Sequence, residues 1–220
     1  MKKDNNDSAV YRFFSSKDYA KDFAKGKFIR LSTLDFCRKL ENLKARDLDE
    51  GKVSPIVSHM QIDDSSKEPE IVDDLRTSGY INISGPVTNL TISNFRGSSI
   101  KLQDSYVLCF SNNINDYLLE NFGKFCVKVN DPKKMSQIIF EDLRKKDLAI
   151  NYKFKSVSYD DKQYVDIINN RLRQEIGFIK KERFLPEDEA RMLFYSSKTP
   201  IEPINIELPE VSELCEIVEL

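Results

Sequence analysis

The chain has 220 residues, 40% hydrophobic and 10% aromatic, enough to bury a full core in a single globular domain. Its 34 basic and 36 acidic residues nearly cancel, which excludes a global basic field drawing it to nucleic acid. A lone histidine, His59, and four scattered cysteines without a CxxC pair disfavour a Cys/His zinc site and any serine or cysteine nucleophile that needs a histidine base. No metal is expected.

The cysteines, Cys37, Cys109, Cys126 and Cys215, sit among apolar neighbours, as in VLCF and FCVKV, and read as reduced core thiols. MKKDNNDSAV lacks the apolar run of a signal peptide, and no stretch approaches the roughly 18 apolar residues of a membrane helix. An intracellular, cytoplasmic protein off the membrane is therefore expected.

Taken in order, AVYRFF at 9–14 predicts a strand, and SSKDYAKDFAKG predicts a helix capped at Ser15 and ended by Gly26. KFIRLST predicts a second strand, with Ile29 and Leu31 on one face and Arg30 and Ser32 on the other. From Thr33 onward, Phe36, Leu40 and Leu43 mark the apolar face of a helix. Residues 46–79 are polar, with two prolines and two Asp-Asp pairs, and read as a long loop or insertion. From Tyr80 to Ser111 the pattern turns strand-like, with YINISG, NLTISNF, SSIKL and SYVLCFS as segments. INDYLLENFG then reads as a helix, KFCVKV as a strand, and DPKKMSQIIFEDLRKK as a helix with Asp131 as N-cap and Pro132 in its first turn. KFKSVSY is a further strand and VDIINNRLRQEIG a further helix. Strands and helices alternate without a βαβ rhythm, so the fold class is α+β rather than Rossmann or TIM.

FLPEDEARMLF at 184–194 admits two readings. Pro186 followed by three acids suits a helix start, whereas period two places Glu187, Glu189 and Arg191 on one face of a strand lining a cleft. Neither GxxxxGK nor GxGxxG occurs, so arginine and backbone would have to hold any phosphate. Arg12 and Arg30 offer bidentate guanidinium groups for that purpose, or only the solvated face of a half-buried sheet. Ser32 and Thr33 lie at a strand-to-helix junction, where capping alone explains them. The basic run through Arg171, Arg173, Lys180, Lys181 and Arg183 reads as a nucleic-acid contact or as a solvated face.

Three segments together resemble the ADP-ribosyltransferase-like superfamily, in particular bacterial DNA-ADP-ribosylating toxins and related uncharacterised bacterial families. VYRFFSSKDYAKDFAKGKFIRLST resembles their opening strand, helix and second strand; LCFSNN resembles a central strand ending in serine, here Ser111; FLPEDEARMLF resembles a late strand carrying an acid followed by arginine. The resemblance implies a split β-sandwich with peripheral helices, one domain over 1–220 with a loop or insertion at 46–79, and NAD as co-substrate. On it, Arg12 and Arg30 hold phosphate or ribose, Tyr11 stacks on a ring, and Ser32, Thr33 and Ser111 support the site. Glu189 is the catalytic acid, and Glu187 orients an acceptor or is only a strand-edge charge. The partner implied is a macromolecular acceptor, nucleic acid or protein, in a toxin or phage-defence setting. The alternative from another class is a non-catalytic binding protein on the same fold, using the basic run or the acidic tail from Glu202 onward.

Overall fold

Alternation in VYRFF and IRLST becomes two strands that share one central neighbour, and the fold grows from that arrangement. The structure, a computed structural model, describes residues 9–39, 51–53, 56–67, 69, 72–73, 76, 82–96, 100–159, 175–196, 198 and 201–220. The chain divides into two compact units, one of residues 1–50, 103–159 and 180–220, the other of 51–102 and 160–179.

The first unit contains strands β1 (Val10–Phe14), β2 (Ile29–Thr33), β3 (Ser105–Ser111), β4 (Phe125–Val129), β5 (Asn151–Ser156), β6 (Glu189–Tyr195), β7 (Ile204–Ile206) and β8 (Cys215–Val218). Its helices are α1 (Lys17–Ala24), α2 (Leu34–Lys39), α3 (Asp116–Asn121) and α4 (Pro132–Lys145). The eight strands form one antiparallel sheet, and the class is α+β.

The sheet branches at β3. One edge of β3 is occupied along its length by β6, from Glu189 opposite Ser111 to Tyr195 opposite Ser105, and β5 continues beyond β6. The other edge is divided: β2 pairs at Val107 and Tyr106, β1 pairs at Ser111, and residues 108–110 pair with neither. From there β1 leads to β4 and β8, and β2 to β7. The tail from Glu202, which the sequence offers as a partner-binding segment, thus supplies both outermost strands on this side.

One face of the sheet is the core. Val10, Ile29, Leu31, Leu108, Phe110, Val127, Val129, Ala190, Met192 and Phe194 are buried there together with Phe23 of α1 and Met135, Ile139 and Leu143 of α4. The last three follow at i, i+4 and i+8, so one stripe of α4 meets the sheet; truncating such a side chain to Ala costs about 2–5 kcal/mol. Asp131 caps α4 as expected, accepting from the Lys134 amide at 2.9 Å, with Pro132 in the first turn. The cap of α1 is Ser16 rather than Ser15, because its hydroxyl reaches the Asp18 amide at 3.2 Å. After α1, Gly26 adopts φ +65° and its carbonyl accepts from the Leu208 amide at 2.7 Å; a Cβ there would lie 2.0 Å from the Leu208 carbonyl oxygen.

Other departures from the pattern have local causes. In α2 the buried side chains are Leu34 and Arg38, while Phe36 is 36% exposed; the rest of that expected helix lies outside the described residues. In the second unit, Ile56–Asp64 pairs antiparallel with Thr88–Arg96, so part of the stretch read as a loop is strand. Ile62, Val72 and Ile92 form its small core. Residues 82–85, the described part of YINISG read as strand, carry no ladder. Glu175 is helical and Ile176–Phe178 make a 3-10 turn; residues 165–174 of the helix expected over 165–177 lie outside the described residues.

Candidate functional site

FLPEDEARMLF becomes a strand from Glu189 onward, and its reading as a helix start is overturned: a 3-10 helix ends at Glu187, with Pro186 in its last turn rather than at its first position. Glu182–Glu187 is a 3-10 helix containing Pro186, Asp188 is left-handed at φ 40° and ψ 54°, and the strand begins at Glu189. Aspartate is among the few non-glycine residues that tolerate this conformation. Its cost is offset by the asparagines of LCFSNNIN. The Asn112 amide donates to the Asp188 carbonyl at 2.7 Å, the Asn112 side-chain amide to Oδ1 at 3.1 Å, and the Asn113 side-chain amide to Oδ2 at 2.6 Å. The Asn115 side chain adds a bond to the Pro186 carbonyl at 2.9 Å. Ser111 is buried, and its hydroxyl donates to the Asp188 carbonyl at 3.4 Å.

This turn aims Glu187 and Glu189 into one cavity of about 250 Å³, on the sheet face opposite the core. Tyr11 and Phe13 of β1, Cys109 and Ser111 of β3, and Glu189 and Arg191 of β6 share that face by alternation and line the cavity. Leu118 and Phe122, in and just after α3, add apolar wall; Arg12, Cys37, Phe110 and Lys180 complete the lining.

Four of these groups form a buried charge cluster with two of each sign. Arg191 grips Glu189 in a fork, Nε to Oε1 at 2.8 Å and Nη2 to Oε2 at 3.0 Å. Lys180 Nζ donates to Glu189 Oε2 at 3.0 Å and to Glu187 Oε2 at 2.6 Å. The Glu189 backbone amide donates to the Tyr159 hydroxyl at 2.6 Å. Burial pushes the Glu189 carboxyl up, but Arg191 and Lys180 overcome it and hold the group well below the usual carboxylate range. Glu187 responds in the opposite sense: burial, aided by the negative charge of Glu189, lifts it to about 7 against the pull of Lys180. Burial and the same charge push the Cys109 thiol well above its ordinary value, so it stays protonated and can donate to Glu189. Glu187 Oε1 is buried and without a hydrogen-bond partner.

Arg12 reaches the cavity by a different route. Its guanidinium lies 5.4, 5.7 and 5.8 Å from the ring centres of Phe23, Phe14 and Phe110, and Nη1 donates to the Cys109 carbonyl at 2.7 Å. That carbonyl belongs to the stretch of β3 that neither β1 nor β2 pairs, so Arg12 replaces a ladder bond at the branch. Desolvation lowers its pKa, yet a guanidinium keeps its charge. Among the described residues no carboxylate pairs with it, a situation suited to a bound anion.

Of the residues singled out by sequence, Tyr11, Arg12, Ser111, Glu187 and Glu189 meet at the cavity, while Arg30, Ser32 and Thr33 do not line it. Arg30 is exposed and lies 5.3 Å from the ring centre of Phe36, itself an exposed side chain, so it rests on an aromatic ledge outside the cavity. Thr33 caps α2 through the Phe36 amide at 3.1 Å, and Ser32 touches Cys37 Sγ at 3.5 Å, one layer behind the lining. Lys180, Cys37 and Cys109 were not expected there. Cys109 was detectable as the i−2 neighbour of Ser111 on a strand; Lys180 was concealed within a run of charges. Comparison of the chain with protein-family models, with curated proteins and with solved structures gives no match. Among the described residues no helix is long and apolar enough to cross a membrane.

Proposed function

We propose that the chain is an ADP-ribosyltransferase-like protein that uses NAD to modify a macromolecule, with the split β-sandwich as its fold. What carries the reading is one convergence: Tyr11, Arg12, Ser111, Glu187 and Glu189 come from the three segments that bear the resemblance and line a single cavity, although Arg12 and Glu189 stand far apart in sequence. The branch of the sheet at β3, with β1 and β2 parting from it, supports the fold assignment. The toxin or phage-defence setting belongs to the same proposal.

The residues fit one end of a dinucleotide. At about 250 Å³ the cavity lies just under the roughly 300–1,000 Å³ usual for small-molecule sites, room for a ring and its sugar with the remainder outside. NAD would supply a scissile nicotinamide–ribose bond whose rupture builds positive charge on the sugar. Glu189, ionised throughout the physiological range, is the group to stabilise that charge, increasingly so as it develops. Arg12 holds phosphate with its remaining N–H groups, Tyr11 offers a ring face, and Ser111 keeps the carboxylate turn in place. No histidine base is needed.

Glu189→Gln is expected to abolish nicotinamide release from NAD while circular dichroism and the unfolding midpoint show a folded protein. Full turnover by this variant, or absence of any NAD-induced rise in the melting temperature of the wild type, overturns the reading. The placement of Arg30 outside the cavity, and the donors already on both oxygens of Glu189, favour a second reading: a non-catalytic module that binds an anionic ligand at Arg12. NAD-induced stabilisation without any cleavage by the wild type would select it.

A further inference from the structure

The two glutamates of the cavity are unequal: Lys180 bridges both, whereas Arg191 grips Glu189 alone. The Lys180 ammonium donates to Oε2 of Glu187 at 2.6 Å and to Oε2 of Glu189 at 3.0 Å, with its Nζ also 4.5 Å from the Phe184 ring centre. Glu189 is then engaged on both oxygens, since Arg191 forks onto Oε1 and Oε2. Glu187 is engaged on one. Its side chain is 8% exposed, it lines the cavity, and its Oε1 has no partner. A buried carboxylate oxygen without a donor is a costly arrangement that a ligand supplying an O–H or N–H would relieve.

We propose that Lys180 is the positioning residue of this cavity: by bridging Oε2 of both glutamates it turns Oε1 of Glu187 into the acceptor for a hydrogen-bond donor on the ligand. The identity of that ligand rests on the NAD reading above, in which the donor is a ribose hydroxyl or the nicotinamide carboxamide. Glu189 is the pivot of the cluster, and Lys180 acts through Glu187 rather than on the ligand. The charged and titratable groups that act on Glu187 are Lys180, Glu189, Arg191, Tyr117 of α3 and Tyr159. Of the cations, Lys180 alone is within ion-pair distance of it among the described residues. The bridge therefore fixes where Glu187 points, and it opposes the upward push of burial on its ionisation.

The test is a double-mutant cycle on NAD affinity, with ADP-ribose as second probe to separate hydroxyl from carboxamide donors. Lys180→Met alone is expected to weaken NAD at least tenfold, and Lys180→Arg to restore most of it. In the Glu187→Gln background, Lys180→Met is expected to cost less than twofold. That double variant keeps the cluster neutral, so it remains measurable even where Lys180→Met alone fails to fold. Equal losses with NAD and ADP-ribose assign the donor to a hydroxyl, and a loss confined to NAD assigns it to the carboxamide; both support the proposal. Additive losses, or a further tenfold loss in the double variant, overturn it. A ligand-free readout is the carbon-13 titration of the Glu187 carboxyl, whose midpoint should move by at least one pH unit in Lys180→Met and return in Lys180→Arg. An unmoved midpoint refutes the positioning role. Should wild type not bind NAD, the function reading falls and this titration alone decides the role of Lys180.

Discussion

Glu187→Gln isolates the cost of holding a second carboxylate in a buried cluster. The folded-state pKa of Glu187, about 7, lies above an ordinary value of 4.5, because burial and the charge of Glu189 outweigh the Lys180 ammonium. The folded state thus binds this proton more tightly than the unfolded chain. Its contribution to stability is full below about pH 4.5 and is lost as pH rises to about 7. At roughly 1.4 kcal/mol per tenfold change in affinity, that loss is on the order of 3 kcal/mol. Gln cannot ionise, retains an oxygen for Lys180, and mimics the protonated acid. The variant should match wild type to within about 1 kcal/mol at pH 5 and exceed its stability by on the order of 3 kcal/mol at pH 8. Urea unfolding at the two pH values, with equal m-values as the control, measures both differences. Glu189 sets the lower limit of the experiment: its depressed pKa means that the stability it supplies is lost as pH falls below the ordinary carboxylate range. A Glu187→Gln effect that is the same at pH 5 and pH 8 would refute the reasoning.

Asp188→Ala removes the acceptor of the Asn112 and Asn113 side-chain amides and leaves a Cβ-bearing residue in a left-handed turn. A loss of about 1–3 kcal/mol is expected, with partial recovery in Asp188→Gly, which restores backbone freedom; thermal unfolding of the pair checks both. Gly26→Ala drives a Cβ to within 2.0 Å of the Leu208 carbonyl at a positive φ, so one of the two backbones must shift. A loss of at least about 1–3 kcal/mol in chemical denaturation is expected, and a neutral result would contradict the close approach.

Much of the scaffold is written in short-range pattern. Period-two alternation places Ile29 and Leu31 in the core and Arg30 outside it, and Asp131-Pro132 announces the start of α4. The strand at Ile56–Asp64, with Ile62 in the small core and Met60 packed against it, is hidden in the sequence because the prolines and acid pairs around it read as loop. The glutamates were visible as candidates from their spacing to Arg191. Period two also sets them on one face, but Glu187 lies outside the strand and reaches the cavity through the left-handed Asp188, a conformation stabilised by asparagines about 75 residues away.

Residue types and local spacing alone therefore determined the α+β class, most of the strands around the branch, and the candidate acids and arginines. Tertiary structure decided which of them meet. Arg12 enters the cavity because the branch leaves the Cys109 carbonyl without a strand partner on that edge, and Arg30 stays out because it lies on the part of β2 that pairs with β7 and not with β3. Lys180, lost in a run of charges, becomes central because folding brings its ammonium between two buried carboxylates that repel each other without it. Electrostatic pairing in a desolvated cluster depends on distances of about 3 Å, and no periodicity in a sequence encodes them.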